Sequence, residues 1–411
     1  MKGRGHAPDN FSDPGKDARA RAGIPVVPAF DGYRALAILG VVFLHLATSS
    51  GVASNGTETD VARLVWGSLG RAVELLFVVS GFVVFLPTVA QGRFGSIKSF
   101  AIRRGARLLP AYWMVLLVSL VLLACFDLNS PAAMPTVRDG LFHFVGLQGP
   151  GSLVFTDLSS GFGVNLPLWT LSVELCFYLV LPLVALAYLR RPWIGLGLAL
   201  AVTVAWTIAF DHVGEFDYLA DRSTFAELVR LKLVSGLQLP QWAFSFGLGM
   251  TGAWVYVRYR ERAADPDPAF ARVVAGLQAI AVVVLLACVW VLGGDYDQTR
   301  ASLWLSLVFS TAVGTLMIAI TLGKPIWRRP FAAQTLRKLG DMSYGVYLSH
   351  MVIVVVLASE ISMPEDGGPV AFLTWTGAVL PASLLYGYVS ARFLEQPIRR
   401  WARRYGRRDE A

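Results

Sequence analysis

Charge is scarce in this chain of 411 residues: Asp, Glu, Lys and Arg make up 16%, against about 25% in a soluble globular protein. With 55% hydrophobic residues and a mean hydropathy of +0.55, that deficit excludes an ordinary soluble domain and points to a polytopic membrane protein. Cysteine is equally sparse. Cys125, Cys176 and Cys288 all lie in apolar stretches without metal-ligand spacing. They exclude a disulfide framework and a cysteine-based metal site, and read as small packing residues. No internal repeat is visible in sequence or spacing.

What is abundant is long apolar sequence. A helix needs about 20 mostly apolar residues to cross a bilayer. Ten such segments are expected, near 34–53, 71–90, 108–127, 167–189, 193–212, 240–257, 271–293, 301–322, 342–358 and 370–391. Trp113, Trp169, Trp193, Trp242, Trp304 and Trp375 fall near their ends, as interfacial anchors do. The first segment follows a polar tail and reads as a retained span rather than a cleaved signal peptide. The fold class is therefore all-α, a polytopic membrane bundle of about ten helices. Residues 1–28 are expected to be a disordered cytoplasmic tail, 29–400 the membrane domain and 401–411 a basic cytoplasmic end.

Basic residues set the orientation. With the N-terminus inside, the inner segments carry 28 Lys and Arg and the outer segments 7, so both termini are predicted to be cytoplasmic in a multi-pass protein of the cell membrane. The net charge of +8 is thereby topological, and no nucleic-acid partner is needed to explain it. The longest outer loops are about 128–166 and 213–239, the first bending at Gly149-Pro150-Gly151 and Gly161-Phe162-Gly163.

Few polar side chains interrupt the spans, and an ionisable group in lipid is costly enough to be a functional candidate. Counting about 1.5 Å per residue from the expected span ends, His45 lies about 20 Å along span one, Ser80 about 14 Å along span two, Glu174 about 10 Å along span four and His350 about 14 Å along span nine. In a core about 30 Å thick, all four share the middle third. One buried site is one reading; separate interhelical hydrogen bonds are the other. A buried carboxylate needs a partner, and Glu174 would orient His45 and strengthen its second ring nitrogen as a base. The alternative is a carboxylate that only clamps two helices. Glu74, near the outer end of span two, reads as a helix-start residue. Arg103, Arg104 and Arg107 meet the inner surface before span three, with Arg104 and Arg107 on one helix face. They read either as a positive-inside anchor or, with Arg34 at the inner end of the His45 helix, as a phosphate cradle.

Several stretches together resemble the acyltransferase-3 family of integral membrane acyltransferases. They are Asp31-Gly-Tyr-Arg34-Ala with His45; Glu74 to Phe82, containing Ser80-Gly81; Arg103 to Trp113; Trp169-Thr-Leu-Ser172-Val-Glu174 with Phe177-Tyr178; Leu339 to His350, containing Tyr344; and Phe393-Leu-Glu395-Gln-Pro397-Ile-Arg399. Their order and spacing run from about Asp31 to Arg400. Tyr33, Thr170 and Ser349 depart from the family pattern, and the soluble esterase-like domain that many members carry at the C-terminus is not expected in a chain ending at Ala411.

The resemblance implies ten spans and transfer of an acyl group, often acetyl, from acyl-CoA to a hydroxyl of a carbohydrate or of a glycosylated or macrolide-type acceptor. Acyl-CoA would be a co-substrate, with no permanently bound cofactor and no metal. The implied roles are His45 and Glu174 in catalysis, Arg34, Arg103, Arg104 and Arg107 in acyl-CoA binding, and Asp31, Ser80, Ser172, Tyr344 and His350 in the pocket. A proton-coupled transporter or exporter using the same buried groups is the competing reading.

Overall fold

The computed structural model describes residues 23–53, 65, 68–126, 128, 134–159, 161, 165–213, 224–293 and 301–406. Most of the expected N-terminal tail (1–22) and the end of the basic C-terminal segment (407–411) lie outside the described residues. The described chain is all-helical. The helices are α1 (Ala29–Ser49), α2 (Ala72–Gln91), α3 (Ile97–Cys125), α4 (Val137–Val145), α5 (Gln148–Val154), α6 (Trp169–Arg190), α7 (Pro192–Asp211), α8 (Phe225–Ser235), α9 (Leu239–Ala264), α10 (Pro268–Gly293), α11 (Ala301–Leu322), α12 (Pro325–Arg328), α13 (Gln334–Glu360), α14 (Pro369–Val389) and α15 (Gln396–Gly406).

Among the described residues, nine helices are long and apolar enough to cross a membrane: α1, α2, α3, α6, α7, α10, α11, α13 and α14. The expected span at 240–257 coincides with α9, which has 26 residues but is less apolar. Its position explains its composition. Helix α9 packs between α2, α7 and α11, and Ser245, Gly247, Gly249, Thr251 and Gly252 fill its buried stretch. Backbones approach where side chains are absent. A Cβ on Gly249 would sit 2.7 Å from the Phe82 nitrogen and 3.0 Å from Gly81 Cα on α2.

Local chemistry sets the ends. Ser96 caps α3 by accepting from Ser99 N at 3.3 Å, and Thr136 caps α4 by accepting from Asp139 N at 3.1 Å. Thr224 and Glu227 form a reciprocal capping box at α8; the Thr224 amide and hydroxyl hold the exposed Glu227 carboxyl below its ordinary pKa. Gly92 and Gly146 close α2 and α4 at φ 66° and 74°.

The bundle core is aromatic and aliphatic. Phe30 stacks on Phe82 with centroids 3.7 Å apart, and Phe177 on Phe246 at 4.1 Å. Helix α1 lies against α2 and α13, and α13 against α14. Helix α14 runs through a π-helical turn, Ser390–Glu395, into α15, which packs along α3. The widened turn lies just before Pro397, which has no N–H to offer the Phe393 carbonyl.

The segment expected as a simple outer loop at 128–166 holds α4 and α5, and it folds against the bundle. Asp139, His143, Gln148, Ser152 and Asn165 are all buried. Gln148 Nε2 donates to the Leu168 carbonyl at 3.2 Å, and Asn165 Nδ2 to the Leu348 carbonyl of α13 at 2.7 Å. The Tyr347 hydroxyl donates to the Pro167 carbonyl at 3.0 Å. The 3₁₀ turn Leu166–Leu168 that leads into α6 is therefore seated against the middle of α13. Irregular backbone inside a bundle is stable only when protein satisfies its polar groups; Gln148 and Tyr347 do so for the Leu168 and Pro167 carbonyls, while the Asn165 side chain ties the segment to α13.

Candidate active site

Five helices bring one charged group together. Arg104 and Arg107, three apart, share a face of α3. The Arg104 guanidinium lies over the Phe100 and Tyr178 rings, 5.6 and 5.5 Å from their centroids. Glu174 and Tyr178, four apart, share a face of α6, and the Tyr178 hydroxyl donates to Glu174 Oε1. Ser80 of α2 donates to the same oxygen at 3.0 Å, so Oε2 stays available to the arginines or to a ligand. Arg34 of α1 has Arg107, Asp31, Glu174 and Tyr178 within electrostatic reach. Arg107 has Tyr178, Glu174, Glu395 and Asp31. Tyr344 of α13 donates to the Leu108 carbonyl at 2.8 Å, tying α13 to α3 beside Arg107. Three guanidiniums thus gather around two carboxylates, Asp31 and Glu174. Unbalanced charge inside a protein is costly, so the group suits an added anion.

A second group lies farther along the bundle. His45 Nδ1 is 2.9 Å from His350 Nε2, and the rings meet edge to edge with centroids 5.1 Å apart and planes 23° from parallel. His350 is fully buried, with Nδ1 2.6 Å from the Tyr347 carbonyl. His350 follows Tyr344 by six residues, about 9 Å along α13, and His45 follows Arg34 by eleven, about 16 Å along α1.

The structure therefore splits the four residues expected at one depth: Ser80 and Glu174 lie with the arginines, and His45 and His350 pair with each other. Asp31, Arg34, Ser80, Arg104, Arg107, Glu174 and Tyr344 belong to the charged group, and His45 and His350 to the other. The carboxylate expected on His45 is not its hydrogen-bond partner: His350 takes that place, while Glu174 binds Ser80 and Tyr178. The depth estimate erred because α6 begins beside the middle of α13, so its residues do not count inward from the membrane surface. Ser172, two residues from Glu174, points elsewhere; it is buried and accepts from Gly149 N of α5 at 3.1 Å. Arg103 sits beside Arg104, half-buried, on the next helix position.

Two contributors fall outside the predicted set. Tyr178 was readable from its i,i+4 spacing to Glu174. Glu395, in the π-helical turn, accepts from Ser390 Oγ at 3.1 Å and from Arg399 at 3.2 Å, close to Arg107. No local spacing announces that proximity, because it depends on α15 folding back along α3.

Arg34, His45, Ser80, Arg104, Arg107 and Glu174 are half-buried, while their neighbours Tyr33, Leu46, Val79, Leu108 and Val173 are buried.

Known proteins match the chain over the same elements. It is 27% identical over 399 residues to the peptidoglycan O-acetyltransferase OatA of Listeria monocytogenes, covering 91% of this chain and 56% of that protein. It is 25% identical over 398 residues to the putative peptidoglycan O-acetyltransferase YrhL of Bacillus subtilis, covering 91% and 55%. Nodulation protein 10 of Rhizobium leguminosarum bv. viciae is 26% identical over 383 residues, covering 89% of this chain and 95% of that protein. The chain spans about half the length of the first two relatives. No solved structure matches it. The family described as an acyltransferase domain matches residues 27–392. Because that match runs from just before α1 into the π-helical turn after α14, and takes in both the arginine–glutamate group and the histidine pair, the chain belongs to the acyltransferase-3 family.

Proposed function

We propose that this protein is a membrane O-acyltransferase that moves a short acyl group, acetyl by preference, from acyl-CoA to a hydroxyl of an envelope carbohydrate. One observation carries the reading: a half-buried histidine and a half-buried arginine share α1, about 16 Å apart, and the arginine end is gathered with Arg107, Glu174 and Tyr178. The family membership supports acyl transfer, and the printed names of two relatives, peptidoglycan O-acetyltransferases, favour a carbohydrate hydroxyl over a macrolide one.

The donor enters from the cytoplasm, where the basic segments place both termini of a ten-span bundle that includes α9. Arg34, Arg104 and Arg107 hold its phosphates as forked donors, with Arg103 at the entrance. Glu174, fixed by Ser80 and Tyr178, keeps the guanidiniums spread and limits their repulsion. The narrow acyl-bearing arm reaches along the bundle towards His45. There the imidazole takes the proton of the acceptor hydroxyl as its oxygen attacks the thioester carbonyl. The tetrahedral intermediate collapses, the carbon–sulfur bond breaks, and the coenzyme A thiolate recovers the proton from the imidazolium. The products are an ester and free coenzyme A.

The test is coenzyme A release from acetyl-CoA by detergent-purified protein, without any ion gradient, in the presence of peptidoglycan fragments. Transfer by the wild type and its loss in a folded His45→Ala variant are expected. Transfer at the wild-type rate by that variant would remove His45 from the chemistry, and gradient-dependent movement of solute without ester formation would favour a transporter.

A further inference from the structure

The two histidines settle where each other's protons sit. His350 Nδ1 lies 2.6 Å from the Tyr347 carbonyl oxygen. A carbonyl only accepts, so this nitrogen carries a hydrogen and donates it. His350 is fully buried, and among the described residues its polar partners are the Tyr347 and Val346 carbonyls and a second imidazole, with no carboxylate. A charged ring there would be uncompensated, so the ring is neutral and its Nε2 is an acceptor. That Nε2 stands 2.9 Å from His45 Nδ1. His45 must then hold its hydrogen on Nδ1, which leaves the lone pair on Nε2.

We infer that His350 is a positioning residue: it holds His45 as the Nδ1–H tautomer and so presents His45 Nε2 as the basic nitrogen. The inference rests on the role proposed above for His45. The chain of donors runs in one direction, from His45 Nδ1–H to His350 Nε2 and from His350 Nδ1–H to the Tyr347 carbonyl. A serine hydrolase fixes its histidine through a carboxylate; here a neutral imidazole, itself fixed by backbone, does the orienting. When His45 Nε2 takes a proton from the acceptor hydroxyl, the imidazolium keeps its Nδ1–H bond to His350. No proton has to move onto His350. The two rings meet edge to edge with planes 23° from parallel, so the N–H points along the line to the accepting nitrogen. Tyr347 contributes from both ends, since its hydroxyl is anchored to Thr170 at 2.7 Å and to the Pro167 carbonyl at 3.0 Å.

The experiment uses the full chain in detergent micelles, labelled with ¹⁵N-histidine. The chain has five histidines, so the His45 signals are assigned by difference from His45→Ala. The expected result is a neutral Nδ1–H tautomer at His45, opposite to the form free histidine prefers in water. His350→Leu should abolish that preference and lower kcat by about 100-fold, with KM for acetyl-CoA unchanged. In His350→Gln, the amide oxygen can accept the same hydrogen bond. It should restore the tautomer and bring kcat to within about 10-fold of wild type. An Nε2–H tautomer at His45 in the wild type overturns the inference, and that measurement needs no variant at position 350 to fold. A folded His350→Leu protein with wild-type kcat also overturns it. If His45→Ala is inactive while His350→Leu is fully active, the positioning role fails and the base survives. If His45→Ala is itself active, the base assignment fails.

Discussion

Ser80 on α2 donates to Glu174 Oε1 on α6 at 3.0 Å, which locks a carboxylate to a helix 94 residues away in sequence. Tyr178 donates to the same oxygen. Removing the Ser80 hydroxyl should lower stability by about 1–3 kcal/mol, the range for a hydrogen bond to a charged group. Glu174→Ala should cost more, about 3–5 kcal/mol, because it removes the carboxylate that Arg34, Arg104 and Arg107 share. Thermal unfolding in detergent reads both. An unchanged midpoint for Glu174→Ala would show that the arginines do not depend on it.

Arg104 stacks on Phe100 and Tyr178, so its charge and its planarity can be tested separately. Arg104→Ala should weaken coenzyme A binding by about 10- to 100-fold, the worth of one charge-assisted contact. Arg104→Lys keeps the charge but loses the stacked plane, and should fall between the two. Calorimetric titration with coenzyme A measures this, and undiminished affinity in Arg104→Ala would exclude this residue from the donor site.

Gly249 lets α9 touch the backbone of α2. Gly249→Ala should destabilise by about 1–3 kcal/mol through overpacking against Phe82 and Gly81. Gly197 on α7 is the control, since a Cβ there meets nothing within 4 Å. Gly197→Ala should be neutral or gain up to about 1 kcal/mol. Equal effects at the two positions would mean that helix propensity, not packing, governs both.

Asn165 carries the hydrogen bond that seats the Leu166–Leu168 turn against α13. Asn165→Ala should lower kcat by about 10-fold through misplacement near His350, a change of about 1.4 kcal/mol in the barrier, with donor affinity preserved. Steady-state rates at saturating acetyl-CoA separate the two; a fall in affinity with kcat intact would place Asn165 in donor binding instead.

Much of this arrangement was legible before any coordinates. Apolar runs gave the long helices, and even α9, with its small and polar residues, was recognisable by position. Arg34, Arg104 and Arg107 were grouped by charge and by family motif, and they do converge, with Glu174 among them. What linear counting missed was height. It took each span to start at a membrane face, whereas α6 starts against the middle of α13, where Gln148 and Tyr347 satisfy the Leu168 and Pro167 carbonyls and the Asn165 side chain bonds the Leu348 carbonyl. Glu174 was thereby matched to His45, and His350, on the helix that packs against α1, was assigned only to the pocket lining. The proximity of Glu395 to Arg107 was also out of reach, since it depends on how α14 turns into α15.

Helix α9 has a consequence for how the protein is made. Partition into lipid rewards apolar side chains residue by residue, and α9 has three glycines, a serine and a threonine in its buried stretch and Arg258, Arg260, Glu261 and Arg262 near its end. Released alone from the insertion machinery, such a segment gains little by leaving water. Its neighbours α2 and α7 precede it in the chain, whereas α11 is synthesised later. If α9 is the tenth span, its entry into the bilayer is a folding event rather than an insertion event. Variants that loosen its contact with α2 should be lost to quality control during biogenesis before any loss of chemistry can be measured.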